Sequence, residues 1–150
     1  MEWGLDRIDQ RSGTDGQYDN KGATGEGTYI YVMDTGVRVS HTDFGERAFG
    51  LWSAGCTGDI CSPGYVARGV VTDGDCDNSH GTHCASTAAG NTYGVARGAT
   101  VMSVQVLTCS DGRGSTSGVL RGLEAIASHQ QLHGQPSVVS MSISGARTTQ

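Results

Sequence analysis

Proline is nearly absent from this chain: there are 2 prolines among 150 residues, against 24 glycines. That excludes a proline-rich linker and suits many tight turns between short elements. Basic clusters are missing too. Lys and Arg total 10 against 15 Asp and Glu, a net charge of −5, which argues against nucleic acid or an anionic membrane surface as the main partner. No apolar stretch approaches the roughly 20 residues that cross a bilayer. The opening residues Met1-Glu2-Trp3-Gly4 are too polar for a signal peptide. No internal repeat, low-complexity block or domain boundary interrupts the chain. Residues 1–150 therefore read as a single domain, long enough to bury its own core.

The hydrophobic pattern alternates between two periods. Thr28 to Met33 is a β-branched and aromatic run and predicts a buried strand. His80 to Ala89 predicts a small-residue helix closed by Gly90. Thr100 to Leu107 predicts a second strand. Ser117 to His133 has helical spacing, with Val119, Leu120, Leu123, Ile126 and Ala127 on one apolar face; Gly134 and Pro136 stop it. Ser137 to Ile143 predicts a third strand. Residues 45–75 show no clear period and read mostly as loop, with a short strand near Ala67 to Val71. Strands separated by helices imply an α/β fold, a parallel sheet with helices on its faces.

Two segments carry chemistry. In Tyr31-Val32-Met33-Asp34-Thr35-Gly36-Val37 an apolar run ends in an acid at a tight turn, which is how a buried strand delivers a carboxylate. In Asn78-Ser79-His80-Gly81-Thr82-His83-Cys84 a histidine follows two good N-cap residues at a helix start. A serine hydroxyl needs a histidine to take its proton, and that histidine needs a carboxylate to fix its tautomer. Asp34 suits the second role and His80 the first. The positive end of the helix dipole favours the neutral imidazole a base requires. Each motif alone has other readings. Asp34-Thr35-Gly36 also marks dimeric aspartic proteases, and His80, His83 and Cys84 could be half of a metal site, although no second cluster completes it.

Jointly, in this order and after Trp3-Gly4-Leu5-Asp6-Arg7-Ile8-Asp9-Gln10, the motifs resemble the subtilisin-like serine proteases, in their proteinase K-like branch. The resemblance runs from Trp3 to about Gly145 and matches the N-terminal half of a catalytic domain. It implies a three-layer α/β fold, truncated here, and a serine endopeptidase using an Asp-His-Ser triad. It places the chain's start near a mature boundary, with Met1 added or retained. No Gly-Thr-Ser-x-Ala segment is present, so the serine is expected outside these residues, and negligible peptidase activity is expected of this stretch by itself. Ser115 and Ser117 read as the turn and cap before a helix.

The resemblance further implies that peptide binds as an extra strand between two backbone segments. The first is Gly112-Arg113-Gly114-Ser115, the second Ser142-Ile143-Ser144-Gly145. Read without the resemblance, both are ordinary turns at element ends. Spacing does not choose among the pairings of Cys56, Cys61, Cys76, Cys84 and Cys109. The resemblance implies a Cys76–Cys109 bridge, a Cys56–Cys61 clip and a free Cys84 beside the active site, in an oxidising, extracellular setting. It also implies a structural calcium at Asp6, Asp9, Gln10, Asp15 and Gln17; a solvated acidic turn accounts for these residues equally well. Catalysis needs no cofactor. The expected partner is a polypeptide substrate or an inhibitory pro-segment, and the expected state a monomer without nucleic acid or membrane. A non-catalytic peptide-binding module is the alternative of a different class.

Overall fold

The computed structural model describes residues 2–55, 64–65 and 79–145. Among them, five strands form one sheet in the order β3-β2-β4-β1-β5. They are β1 (Tyr29–Asp34), β2 (Ala48–Ser53), β3 (Gly64–Tyr65), β4 (Thr100–Gln105) and β5 (Ser137–Ser140). β1 runs parallel to β4 and β5, and β2 parallel to β4; only the short β2–β3 pair is antiparallel. Helices α1 (Trp3–Ile8), α2 (His80–Ala89) and α3 (Thr116–His133) complete the described elements, with a 3-10 turn at Thr42–Phe44.

Strand periodicity sorts the core into two layers. Ile30 and Val32 of β1, with Val101 of β4, face α2 through Ala85 and Ala89. Tyr31 and Met33, with Met102 and Val104, face α3 through Ala125 and Ile126. The expected helices on both faces of a parallel sheet are therefore present. α2 buries Gly81, Ala85 and Ala89, four residues apart, so a stripe of minimal side chains lies against the sheet. α3 does likewise with Gly118, Gly122, Ala125 and Ile126.

Several expectations need correction. Helical spacing puts Leu120 and Ala127 on the apolar face of α3, but both are exposed, Leu120 by 56%. A Cβ on Gly122 would lie 2.7 Å from Met33 Cε and 2.9 Å from Val106 Cγ1; the helix docks on its smallest residues and turns its larger ones aside. Residues 48–53 lack a clear period, yet they form β2, a buried strand. Its sequence, Ala48-Phe49-Gly50-Leu51-Trp52-Ser53, has no β-branched residue, and the register slips between Gly50 and Trp52. The strand expected over residues 137–143 ends at Ser140, opposite Val32, and the chain after it leaves the ladder. The short strand expected near Ala67 to Val71 lies outside the described residues. α1 carried no periodic signal.

His129 is no simple surface residue. Its Nδ1 shares a 2.8 Å hydrogen bond with Tyr31 Oη, and its ring packs 5.4 Å from Tyr29. Burial, with His133 alongside, holds its imidazole below the usual histidine range. His41 is also engaged: its Nδ1 accepts the Asp43 N–H at 3.1 Å and caps the 3-10 turn.

Candidate active site

Asp34 is the last residue of β1 and is 1% exposed. The strand continues into a turn that β4 holds in place: Val106 and Leu107 donate their N–H groups to the Asp34 carbonyl at 2.9 and 3.1 Å. The carboxylate then has few freedoms left. Its Oδ1 accepts the Thr35 N–H at 2.7 Å. His80, the first residue of α2, brings Nδ1 to 2.8 Å from Oδ1 and 2.9 Å from Oδ2.

A carboxylate only accepts, so Nδ1 carries the proton of this bond and the neutral ring keeps its lone pair on Nε2. The acid is buried, whereas the His80 side chain is 49% exposed. The pair thus has a dry side and a wet side, which lets a fixed carboxylate orient a base that solvent or substrate can reach.

The helix start is pinned independently of that bond. Gly81 N–H donates to Thr35 Oγ1 at 3.1 Å, and Arg38 N–H donates to Thr82 Oγ1 at 2.9 Å. Ser79 stands at the N-cap but makes no side-chain capping bond; tertiary contacts with the Asp34–Arg38 turn hold the helix start instead. Gly36, at φ +106°, makes the turn. Its carbonyl oxygen approaches Gly81 so closely that a Cβ there would collide with it. Behind the turn, buried Gln105 donates to the Thr35 carbonyl at 2.9 Å and accepts from Ser53 Oγ at 3.0 Å.

A groove of about 710 Å³ opens in front of His80. Gly112, Arg113, Gly114 and Ser115 line it together with Ser142, Ile143, Ser144 and Gly145. Thr35, Leu107, Asp111, Thr116 and Val119 also line it, outside the two segments expected from the sequence. Leu107 and Thr35 lie at strand ends, and that position was the available signal. The first of those segments is a tight loop: Thr108 N–H donates to the Arg113 carbonyl at 2.7 Å, and Gly112 N–H to the Thr108 carbonyl at 3.1 Å. The Thr108 hydroxyl, hydrogen-bonded to Asp111, holds that carboxyl below its ordinary range. Ser115 accepts the Gly118 N–H at 3.1 Å and caps α3.

Cys84 is a free thiol with Sγ 4.0 Å from both ring nitrogens of His80. Among the described residues, Asp34, His80 and Cys84 form a group of metal-capable side chains with ligand atoms within 4.8 Å of one another. His83 is exposed on α2. Cys109 is disulfide-bonded; Cys56, Cys61 and Cys76 lie outside the described residues. At the N-terminus, Asp6 accepts the N–H groups of Asp15 and Gly16, both at 2.8 Å. Asp9 Oδ2 accepts the Asp19 N–H at 2.6 Å, while its Oδ1 is buried without a partner among the described residues. Asp15 Oδ1 accepts the Gln17 N–H at 3.0 Å.

A two-faced parallel sheet with a strand-end acid bonded to a helix-start histidine is the architecture of a subtilisin-like proteinase. A solved cold-adapted subtilisin-like serine proteinase superposes with a TM-score of 0.78 at 39% identity, covering 97% of this chain and 47% of that one. The chain matches the subtilase family over residues 25–150 and belongs to it. It is 45% identical over 148 residues to an extracellular serine proteinase of Thermus sp. (strain Rt41A), covering 98% of this chain and 32% of that protein. It is 38% identical over 145 residues to a cuticle-degrading protease of Metarhizium anisopliae, covering 95% of this chain and 33% of that protein. The chain thus spans about a third of the length of these curated relatives.

Proposed function

We propose that this chain supplies the acid and base of a serine endopeptidase. Asp34 holds the His80 tautomer and stabilises the imidazolium; His80 Nε2 takes the proton from a serine that the remainder of the family's catalytic domain contributes. The observation that carries this reading is the 2.8 Å bond from His80 Nδ1–H to the buried Asp34 carboxylate at the head of the groove. The two groove-lining segments bind a substrate backbone, and the glycines at 112, 114 and 145 let it approach closely. The dimeric aspartic reading leaves His80 without a role and is not favoured.

One relative's name, "extracellular serine proteinase", supports secretion, and a disulfide at Cys109 suits that setting. We assign it to Cys76, with Cys56–Cys61 as the second bridge. For calcium, the buried oxygen of Asp9, without a partner among the described residues, fits a cation. Gln10, Asp15 and Gln17 would complete the oxygen set, and Asp6, with both oxygens on backbone N–H groups, shapes the loop. A cation there would tie the N-terminal segment down.

The test is peptide hydrolysis by the full-length protein. Asp34→Asn and His80→Ala should each lower kcat by about 10⁴-fold or more. Activity unchanged in either variant, or inhibition by pepstatin with an acid optimum, would overturn the assignment. Groove binding without turnover by a full-length protein would make it a peptide-binding module.

A further inference from the structure

Away from the groove, α3 ends in a second histidine site. His129 and His133 are one helical turn apart on its last turn, and their rings stack with centroids 4.2 Å apart and planes 31° from parallel. We propose that His129 and His133 form a bidentate site for a divalent transition-metal ion such as Ni²⁺, Cu²⁺ or Zn²⁺.

Residues i and i+4 on a helix project side by side, so two imidazoles there can share one ion. Metal–nitrogen bonds of about 2.0–2.1 Å place the two ligating nitrogens about 3 Å apart. Stacked rings need only a modest rotation of the exposed His133 to reach that. His129 is already oriented. Tyr31 is fully buried and its hydroxyl oxygen lies 2.8 Å from Nδ1; in the tautomer in which Nδ1–H donates to that oxygen, Nε2 keeps its lone pair and is the nitrogen that can ligate. A partner on the other ring nitrogen is the usual support behind a metal-binding histidine.

Tyr29 walls the pair, with its ring 5.4 Å from His129 and 6.3 Å from His133. Gly134, at φ +63°, ends the helix immediately afterwards, so the pair lies at the negative end of the helix dipole, which favours a cation. Imidazole nitrogens select borderline transition metals over Ca²⁺ or Mg²⁺, and two protein ligands leave the remaining positions to water.

The test is a Ni²⁺ titration of the full-length protein by calorimetry, with Ca²⁺ as comparison. The expected result is one Ni²⁺ site that His133→Gln weakens at least 10-fold and His129→Asn likewise, while Cys84→Ser leaves it unchanged. His133 is exposed, so its variant keeps the fold even where the loss of the Tyr31 bond disturbs His129→Asn. Binding retained in His133→Gln, or lost in Cys84→Ser, would overturn the proposal; the second result would place the ion at Asp34, His80 and Cys84 instead. Undetectable Ni²⁺ binding at millimolar concentration would overturn it too.

Discussion

Replacing Gly81 by alanine tests the geometry of the acid–base pair without needing turnover. Helix propensity alone predicts a gain of up to about 1 kcal/mol for Gly→Ala. Packing predicts the reverse. The added methyl would collide with the Gly36 carbonyl oxygen and lie 3.1 Å from Asp34 Cβ. Both neighbours belong to the turn that β4 fixes through Val106 and Leu107, so the helix start must retreat by roughly 1 Å to restore ordinary contact. That retreat stretches the Gly81 N–H bond to Thr35 and the His80–Asp34 bond together. Overpacking of this kind costs about 1–3 kcal/mol, and the propensity gain does not offset it. Urea unfolding should show a lower midpoint with an unchanged slope. The NMR resonance of the His80 Nδ1 proton should move or broaden as its bond to Asp34 weakens. On the proposed function, a displacement of this size should lower kcat of the full-length protein about 10²-fold. A variant as stable as wild type with an unchanged His80 resonance would refute the packing argument.

Three further outcomes follow from packing and charge. Burial would raise the Asp43 carboxyl, but the Ser86 hydroxyl and Thr92 N–H outweigh it and hold the group below its ordinary value of 3.8. The unfolded chain therefore takes up that proton first as pH falls, so the stabilisation is complete above about pH 4 and disappears as pH drops through the folded value. Asp43→Asn should cost about 1–3 kcal/mol at pH 7, with the difference from wild type vanishing at low pH; a pH-independent difference in urea midpoints would contradict this. Gly122→Val should destabilise by about 1–3 kcal/mol, because the docking face of α3 has no room beside Met33 and Val106; an unchanged thermal midpoint would count against it. Calcium should raise Tm in wild type and not in Asp9→Ala, read by calorimetry with and without chelator; an equal rise in both would remove Asp9 from the site.

The local signals that were legible are those in which chemistry and backbone agree. The run ending at Asp34 is apolar and β-branched until the acid, and β1 occupies it within one residue. α2 begins at His80 and ends at Ala89 as its small residues and Gly90 indicated. The Gly-rich loop before α3 and the chain after β5 are turns at element ends in any reading; only the resemblance links them, and both line the groove at His80.

What the sequence determined alone was the class of fold, the carboxylate and the imidazole that meet at Asp34 and His80, and the elements that bear them. Tertiary structure decided the rest. β2 exists because β4 pairs with residues whose own propensity is weak, and α3 rotates toward Gly118 and Gly122 because close approach buries more sheet than Leu120 could. The His129–Tyr31 bond joins residues nearly a hundred positions apart. Propensity and periodicity report what a segment does by itself. Pairing, docking angle and long-range hydrogen bonds depend on surfaces that meet only after the chain has folded.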